Sequence, residues 1–549
     1  MRSTVLKLAV ALVVALVSGG GVARAAPPRP LPLDGGAAAA DGVWFEREGV
    51  ALNAEAAASN KVAAEWRTDP STGWLLEGSD RETAGTLEAP EGCTATHLEF
   101  LHTFEGGPSL HEWRLAVALA HRKLVLPPEP PTVCVYEVAY ADGETLKVAV
   151  RFGEGINQWY RVHEVGPMLW AKPAWQHDLH PHSGQKAVLY AMKWPNPRPK
   201  VAIESISLKP QSDPAADYGS VLTLGVRALD EQPAGRYYYV ATFPDGSDEN
   251  PGTFERPFAS LERAAEVAGA GDTVFVRGGL YSVERRVEIQ GSGEPDRWLT
   301  FTAYPGETPV LDGMASRLDR NAQTHGHGYD HDSGLISAFG DCSYVRIAGL
   351  HVRRSRRAAI GLFGPGRGVR ATGHEVLFCT TYRTWAMGIN IKQSDHVRVI
   401  GNRIVRPHDH TMFYGYAQNR PLAAGAPPQE AIDLSRNTHF EVAFNEVYGG
   451  GKEAIDCISV TNGRIHHNYV HHCLNGIYID AWGIPIERLE IDHNYIHDAF
   501  NGIPLSTEGS NDLLDFSIHH NIVIDSKPQT GVGAVAGEEF AVGAAFDYA

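Results

Sequence analysis

The chain has 549 residues with 48 basic and 65 acidic side chains, a net charge of −17, and 43% hydrophobic residues. That length allows two or three domains with a sizeable core, and the acidic balance argues against nucleic acid as a partner. The 6 cysteines are too sparse for a disulfide scaffold, and no CxxC pair points to zinc.

Residues 1–25 combine a basic start, an apolar run and the small-residue pattern Ala23-Arg24-Ala25. This pattern predicts a secretory signal peptide cleaved before Ala26. The apolar run is too short and too soon broken by glycines for a membrane span. The mature protein is therefore expected to be secreted or periplasmic, with no membrane partner. Residues 26–42 are expected to be a flexible leader. From 43 to 210 short alternating strands and turns predict a β-sandwich without a long helix. Within it, Tyr136 to Val150 should form a hairpin around Asp142-Gly143. Cys93 and Cys134 fall in this region and could pair in an oxidising compartment. Trp159, Trp170, Trp175 and Trp194 suit either the sandwich core or a platform for sugar rings. Residues 211–236 are expected to be a linker.

From Tyr237 a strand, a Gly-rich turn, an amphipathic helix (Phe258 to Ala268) and a strand (Thr273 to Arg277) are predicted. Similar segments then begin at Val345, Val369 and Val397. Four later segments, FEVAFNEVYGG, GRIHHNYVHHC, LEIDHNYIHDA and FSIHHNIVIDS, align Asn445, Asn468, Asn494 and Asn521. A repeat of about two dozen residues with β-branched alternation predicts a coil of short strands whose turns bury a shared core. The fold class is all-β: a sandwich, then a right-handed parallel β-helix over 237–549. The asparagines should stack as a ladder. Cys342, Cys379, Cys457 and Cys473 should pack in the coil as free thiols. The loop histidines His325, His327, His331, His408 and His410 are read as solvated. No metal site is expected, and although carboxylates of the coil are compatible with calcium, no EF-hand loop is present.

A second repeat runs in phase: AID at Ala431 and Ala454, GIYID at Gly476, and GIPLSTE at Gly502. With Ile432, Ile455, Ile477 and Ile503 facing inward, residues at odd offsets face outward. These are Asp433 and Asp456 at offset one, Asp480 at three and Glu508 at five. Tyr478 and Trp482 share that face and suit stacking on a sugar, while Lys452 and Glu453 suit its hydroxyls. Acids on one face fit glycoside hydrolysis by two carboxyl groups. An outward Lys392, or Arg403 or Arg406, would instead fit proton abstraction by a lyase. A non-enzymatic carbohydrate-binding solenoid is the third reading. Asp480 and Glu508, on adjacent turns, would have backbones about 8 Å apart, between the retaining and inverting geometries.

Three resemblances accompany these readings. YADGE, INQW and WPNPRP resemble the galactose-binding-like jelly rolls of secreted polysaccharide-degrading enzymes. GSDENPGT, PFASLERAAEVA, GDTVFVRGGLY and FTAYPGETPVLDG resemble the N-terminal cap of secreted, pectate-lyase-like β-helix proteins. GGGKEAID, NYVHH, NGIYIDAW and NGIPLSTEG resemble parallel β-helix glycoside hydrolases, bacterial β-xylosidases among them. That last resemblance implies a polysaccharide or oligosaccharide substrate, Asp480 as nucleophile or base and Glu508 as acid; Asp456, from its place on the same carboxylate face, is a further catalytic candidate.

Overall fold

The computed structural model describes residues 28–31, 37–38, 43–47, 50–53, 72–77, 82–161, 166–179, 184–211, 213, 216–316, 333–366, 368–407, 430–450, 452–507 and 512–524. The signal peptide, the loop histidines His325, His327, His331, His408 and His410, and Glu508 lie outside the described residues. No described helix is long and apolar enough to cross a membrane.

The first unit packs an antiparallel sheet of eight strands on one of four. Trp74, Phe100, Tyr136, Trp194 and Val221 are fully buried between the two sheets. Trp159 and Trp175 are buried too and Trp170 half-buried, so these rings fill space rather than offer a platform. The hairpin forms with Ala139 opposite Thr145 and Gly143 at φ 86°, a left-handed turn position suited to glycine. Cys93 and Cys134 are buried free thiols.

Two expectations fail here. Gly219–Leu229, placed in a linker, is a strand paired along the whole of His97–Gly106. Its apolar run VLTLGV completes the sandwich core, so the sheet captures it. Pro108–Lys123 is a 16-residue helix, here α1, where no long helix was expected. Proline suits its first position because that N–H needs no partner, and Leu124 closes it in the left-handed conformation at φ 53°.

From Tyr237 the chain coils through three parallel sheets. One has ten strands, from Tyr237–Val240 to Leu513–His519. The other two merge where Tyr469–Asp480 runs unbroken round a corner, giving one sheet of 16 strands. A short helix, α2 (Leu261–Val267), covers the open end of the core with Leu261, Ala264 and Ala265. The Ser260 hydroxyl accepts from the Arg263 N–H at 3.1 Å and starts it.

Ile347, Val376, Val399, Val442, Ile465, Ile491 and Ile518 form one inward column of the ten-stranded sheet. The expected alignment of Val369 with Val345 and Val397 is therefore corrected. His374 is their register partner, and Val369 lies 57% exposed. A buried imidazole at an inward position hid the repeat. It is tolerated because its nitrogens bond the Ser394 hydroxyl and the Cys342 carbonyl.

The asparagine ladder is present, with Asn402 as an extra rung. Each Nδ2 donates to the next Oδ1 at 2.9–3.0 Å, from Asn402 through Asn445, Asn468 and Asn494 to Asn521. Each Oδ1 also accepts the backbone N–H of the previous rung, for example Asn445 N to Asn468 Oδ1 at 3.1 Å. On the outer face of the same sheet Arg346, Glu375, Arg398, Glu441, Arg464 and Glu490 alternate in sign from turn to turn. Opposite charges directly across a parallel ladder favour this register.

The sandwich sits against the coil. Phe275 and Tyr304 pack into the sandwich core. At the end of α1, His121 stacks on Tyr448 with ring centroids 4.8 Å apart and pairs with Glu446. Tyr448 donates its hydroxyl to the Val125 carbonyl at 2.9 Å.

Candidate active site

Ile432 pairs with Ile455 and Ile455 with Ile477, all in the core. This alternation turns the next residue of each strand outward. Asn390, Asp433, Asp456 and Tyr478 consequently form one column, each the register partner of the next. Lys392, Ser435, Ile458, Asp480 and Ser506 form the neighbouring column. The structure brings Asp433, Asp456 and Asp480 onto one face as expected. The face is covered, however: the three aspartates are only 2%, 1% and 3% exposed.

A third column stands at the corner before these strands. Glu430 precedes Ala431 and Glu453 precedes Ala454, and Glu453 pairs with Asn475. Carboxylate oxygens of Glu430, Glu453 and Asp456 lie within 4.8 Å of one another. Lys452 Nζ bridges Glu430 Oε1 at 2.9 Å and Glu453 Oε2 at 3.2 Å. Asn475 donates to Glu453 Oε1 at 3.0 Å and Asn501 donates to Asn475 at 2.8 Å. Lys392 Nζ lies 3.2 Å from Asp433 Oδ2. Lys452 and Glu453 thus lie with Asp456 in one cluster, which also includes Glu430 and Asn475, while Asn390 is the register partner of Asp433; these last three were not foreseen. The words EAID at Glu430 and EAID at Glu453 were the available signal for Glu430.

The electrostatics separate these groups. Burial first, then the Glu430, Asp433 and Glu453 carboxylates, push the Asp456 carboxyl well above its ordinary range. Burial also raises Glu453, to about 7, although Lys452 opposes it. For Lys452, burial alone would lower the pKa, but Glu430 and Glu453 outweigh it and hold the ammonium protonated. These surroundings favour the protonated form of the Asp456 carboxyl, an arrangement suited to donating a proton.

Asp480 stands one column from Asp456, and Tyr478 lies directly beside Asp456 but only 5% exposed. Trp482, past the end of that strand, is 59% exposed. It lines a cavity of about 260 Å³ with Phe363, Lys392, Ser435, Arg436 and Ile458. Arg403 is elsewhere: it pairs with Glu446 at 2.5 Å under α1. Arg406 occupies a left-handed corner at φ 49° on that side of the coil, its N–H bonded to the Tyr448 carbonyl.

Residues 238–417 match the family model described as Pel9A-like, right handed beta helix region. Residues 336–523 match a second model, right handed beta helix region. The uncharacterized protein YwoF of Bacillus subtilis (strain 168) is 32% identical over 163 residues, which cover 26% of this chain and 31% of YwoF. Pectate lyase PEL9 of Emericella nidulans is 39% identical over 70 residues, 13% of this chain and 17% of that protein. The chain thus spans less than a third of the length of these curated relatives. Among solved structures, XylC in complex with xylose overlaps 52% of this chain and 65% of its own at 14% identity and TM-score 0.33. Pectate lyase Pel9A overlaps 55% and 82% at 14% identity and TM-score 0.30. By its family-model matches and its three parallel sheets, the region 238–523 belongs to the right-handed parallel β-helix class.

Proposed function

We propose that this chain is an exported carbohydrate-active enzyme, a glycoside hydrolase acting on a polysaccharide or oligosaccharide with Asp433 and Asp456 as its carboxyl pair. The observation that carries the reading is their opposite surroundings at one register position on adjacent turns. Asp456 is crowded by carboxylates and kept protonated, whereas Asp433 stands against the Lys392 ammonium. Asp456 would protonate the glycosidic oxygen and Asp433 would attack the anomeric carbon. Adjacent turns about 4.8 Å apart put the pair near the retaining separation of about 5–5.5 Å. Trp482 offers a stacking face beside the site, and the leader sequence of residues 1–25 supports export. The pair Asp480 with Glu508 remains the alternative: Asp480 sits one column from Asp456, and Glu508 lies outside the described residues.

The lyase reading is favoured by the match to the Pel9A-like model and by a relative named as a pectate lyase. It needs a neutral base, and Lys452 is held protonated. Lys392 would have to serve. One experiment separates the two. The protein is incubated with neutral and uronate-rich polysaccharides while reducing ends and ultraviolet absorbance are followed together. New reducing ends without absorbance support hydrolysis. Matching absorbance from an unsaturated uronate would replace it with elimination. No turnover on any substrate, with retained binding, would leave a carbohydrate-binding solenoid.

A further inference from the structure

A second group of titratable side chains lies on a different face of the coil, beneath α1. The corner position after the strands of the second sheet is left-handed in successive turns: Arg354, Arg383 and Arg406, then Gly449, His472 and Asp498, with φ between 49° and 72°. Three turns place arginine there. The last two replace it by histidine and aspartate, and the position before the corner changes with them, to His471 and His497. Strand pairing fixes these residues against each other, because His471 is the register partner of His497 and Cys473 that of Ala499. Four donor side chains thus meet on two adjacent turns where earlier turns present guanidinium groups.

Their geometry is close. One ligand atom each from His472, His497 and Asp498 lies within 4.8 Å of the other two. His497 Nδ1 is 2.7 Å from Asp498 Oδ2, and His472 Nδ1 is 3.9 Å from the same oxygen. Tetrahedral zinc ligands at about 2.0–2.1 Å from the ion lie a little over 3 Å apart, between these two distances. The remaining nitrogen of His497 is engaged, Nε2 lying 2.9 Å from the Tyr469 hydroxyl, which fixes the ring as an outer-shell partner does. The three side chains border a cavity of about 590 Å³ closed on one side by α1 residues Arg114, Val117 and His121. Arg114 donates to Gln158 Oε1 at 3.2 Å.

We propose that His472, His497 and Asp498 form a binding site for one divalent transition-metal ion of the zinc class, with water as fourth ligand facing the cavity. Imidazole and carboxylate together suit zinc, cobalt or nickel better than calcium, which prefers oxygen alone. The ion would join two turns of the coil beside the docked helix. No single motif carries these ligands, because they come from two turns 26 residues apart. The site is independent of the acids proposed for catalysis.

The test uses untagged, chelator-stripped full-length protein titrated with cobalt(II) alone. Visible absorption reports the coordination geometry, and equilibrium dialysis counts the ions bound. The expected result is one equivalent with intense tetrahedral-type bands. His472→Ala and the conservative Asp498→Asn should each weaken binding by more than about 10-fold, the scale on which even outer-shell partners act. His396→Ala, in the separate Asp395, His396 and His439 group, should not. Circular dichroism confirms that each variant is folded. Absence of binding, binding that survives both ligand variants, or loss of binding in the His396 variant would overturn the assignment.

Discussion

Asp433 and Asp456 are register partners on adjacent turns, and both are preceded by the same three residues, Glu-Ala-Ile. Identical words stacked one turn apart put two carboxyls side by side at a buried position. Their coexistence depends on different company: Lys392 beside Asp433, and three acids around Asp456.

This relationship predicts the first pair of variants. Asp456→Asn keeps the shape but cannot donate a proton as an acid does, and should lower kcat by about 10²–10⁴-fold. Its loss should be smallest on substrates with good leaving groups. Asp433→Asn should lose activity on all substrates alike. If both variants turn over a confirmed substrate at near-native rates, the catalytic pair is elsewhere, and Asp480 is the next residue to replace.

Glu453 gives a signed prediction for stability. Its folded pKa is raised by burial, from 4.5 to about 7. The folded state therefore binds more protons than the unfolded state across that interval, and stability falls as pH rises through it. Glu446 is the opposite case. Burial alone would raise it, but Arg403 and His121 hold it at about 2, so its contribution is present above pH 4.5 and lost as pH falls toward 2. Melting temperature should therefore peak on the acidic side of neutrality. Glu453→Gln should flatten the alkaline limb between pH 4.5 and about pH 7 and leave the acid limb unchanged. An unchanged alkaline limb in the variant would remove Glu453 from this account.

The asparagine ladder predicts a large structural cost for a small change. Asn468 is 1% exposed, donates to the Val442 carbonyl and Asn494 Oδ1, and accepts from Asn445. Asn468→Ala orphans these buried partners at about 1–3 kcal/mol each. Asn468→Asp keeps the acceptors but removes the donors and buries a charge, so it should be at least as damaging. Denaturant unfolding measures both, and a loss under about 1 kcal/mol in either would show that the ladder is dispensable.

The coil was readable because its inward positions repeat: Ile432, Ile455 and Ile477 keep their register, and so do the asparagines. Where a polar residue took an inward place, as His374 does, the repeat vanished from the sequence and Val369 was aligned in its stead. The aspartates on one face followed from strand alternation alone. Their burial, the bridge made by Lys452 and the involvement of Glu430 did not, since these depend on how the corner before each strand brings the third column inward. The strand Gly219–Leu229 was hidden for a different reason. Its partner, His97–Gly106, lies more than a hundred residues away, and no local pattern reports such a pairing.

The docking of the two units carries the last prediction. His121 closes α1 and touches four coil residues at once: it pairs with Glu446, hydrogen-bonds His471 at 3.1 Å, and stacks on Tyr448 and Tyr469. Arg403 completes the cluster from beneath Glu446. Replacing the ring by His121→Ala removes the Glu446 partner and the ring stack and leaves the buried Glu446 carboxylate with Arg403 alone, a loss larger than that of an exposed pair. Calorimetry should then resolve a sandwich transition at lower temperature from a coil transition that stays in place, where the wild type unfolds with the two coupled. His121→Phe keeps the stacking but not the polar ring nitrogens, and should fall between them. A single unshifted transition in His121→Ala would mean that Phe275 and Tyr304 hold the sandwich to the coil without help from α1.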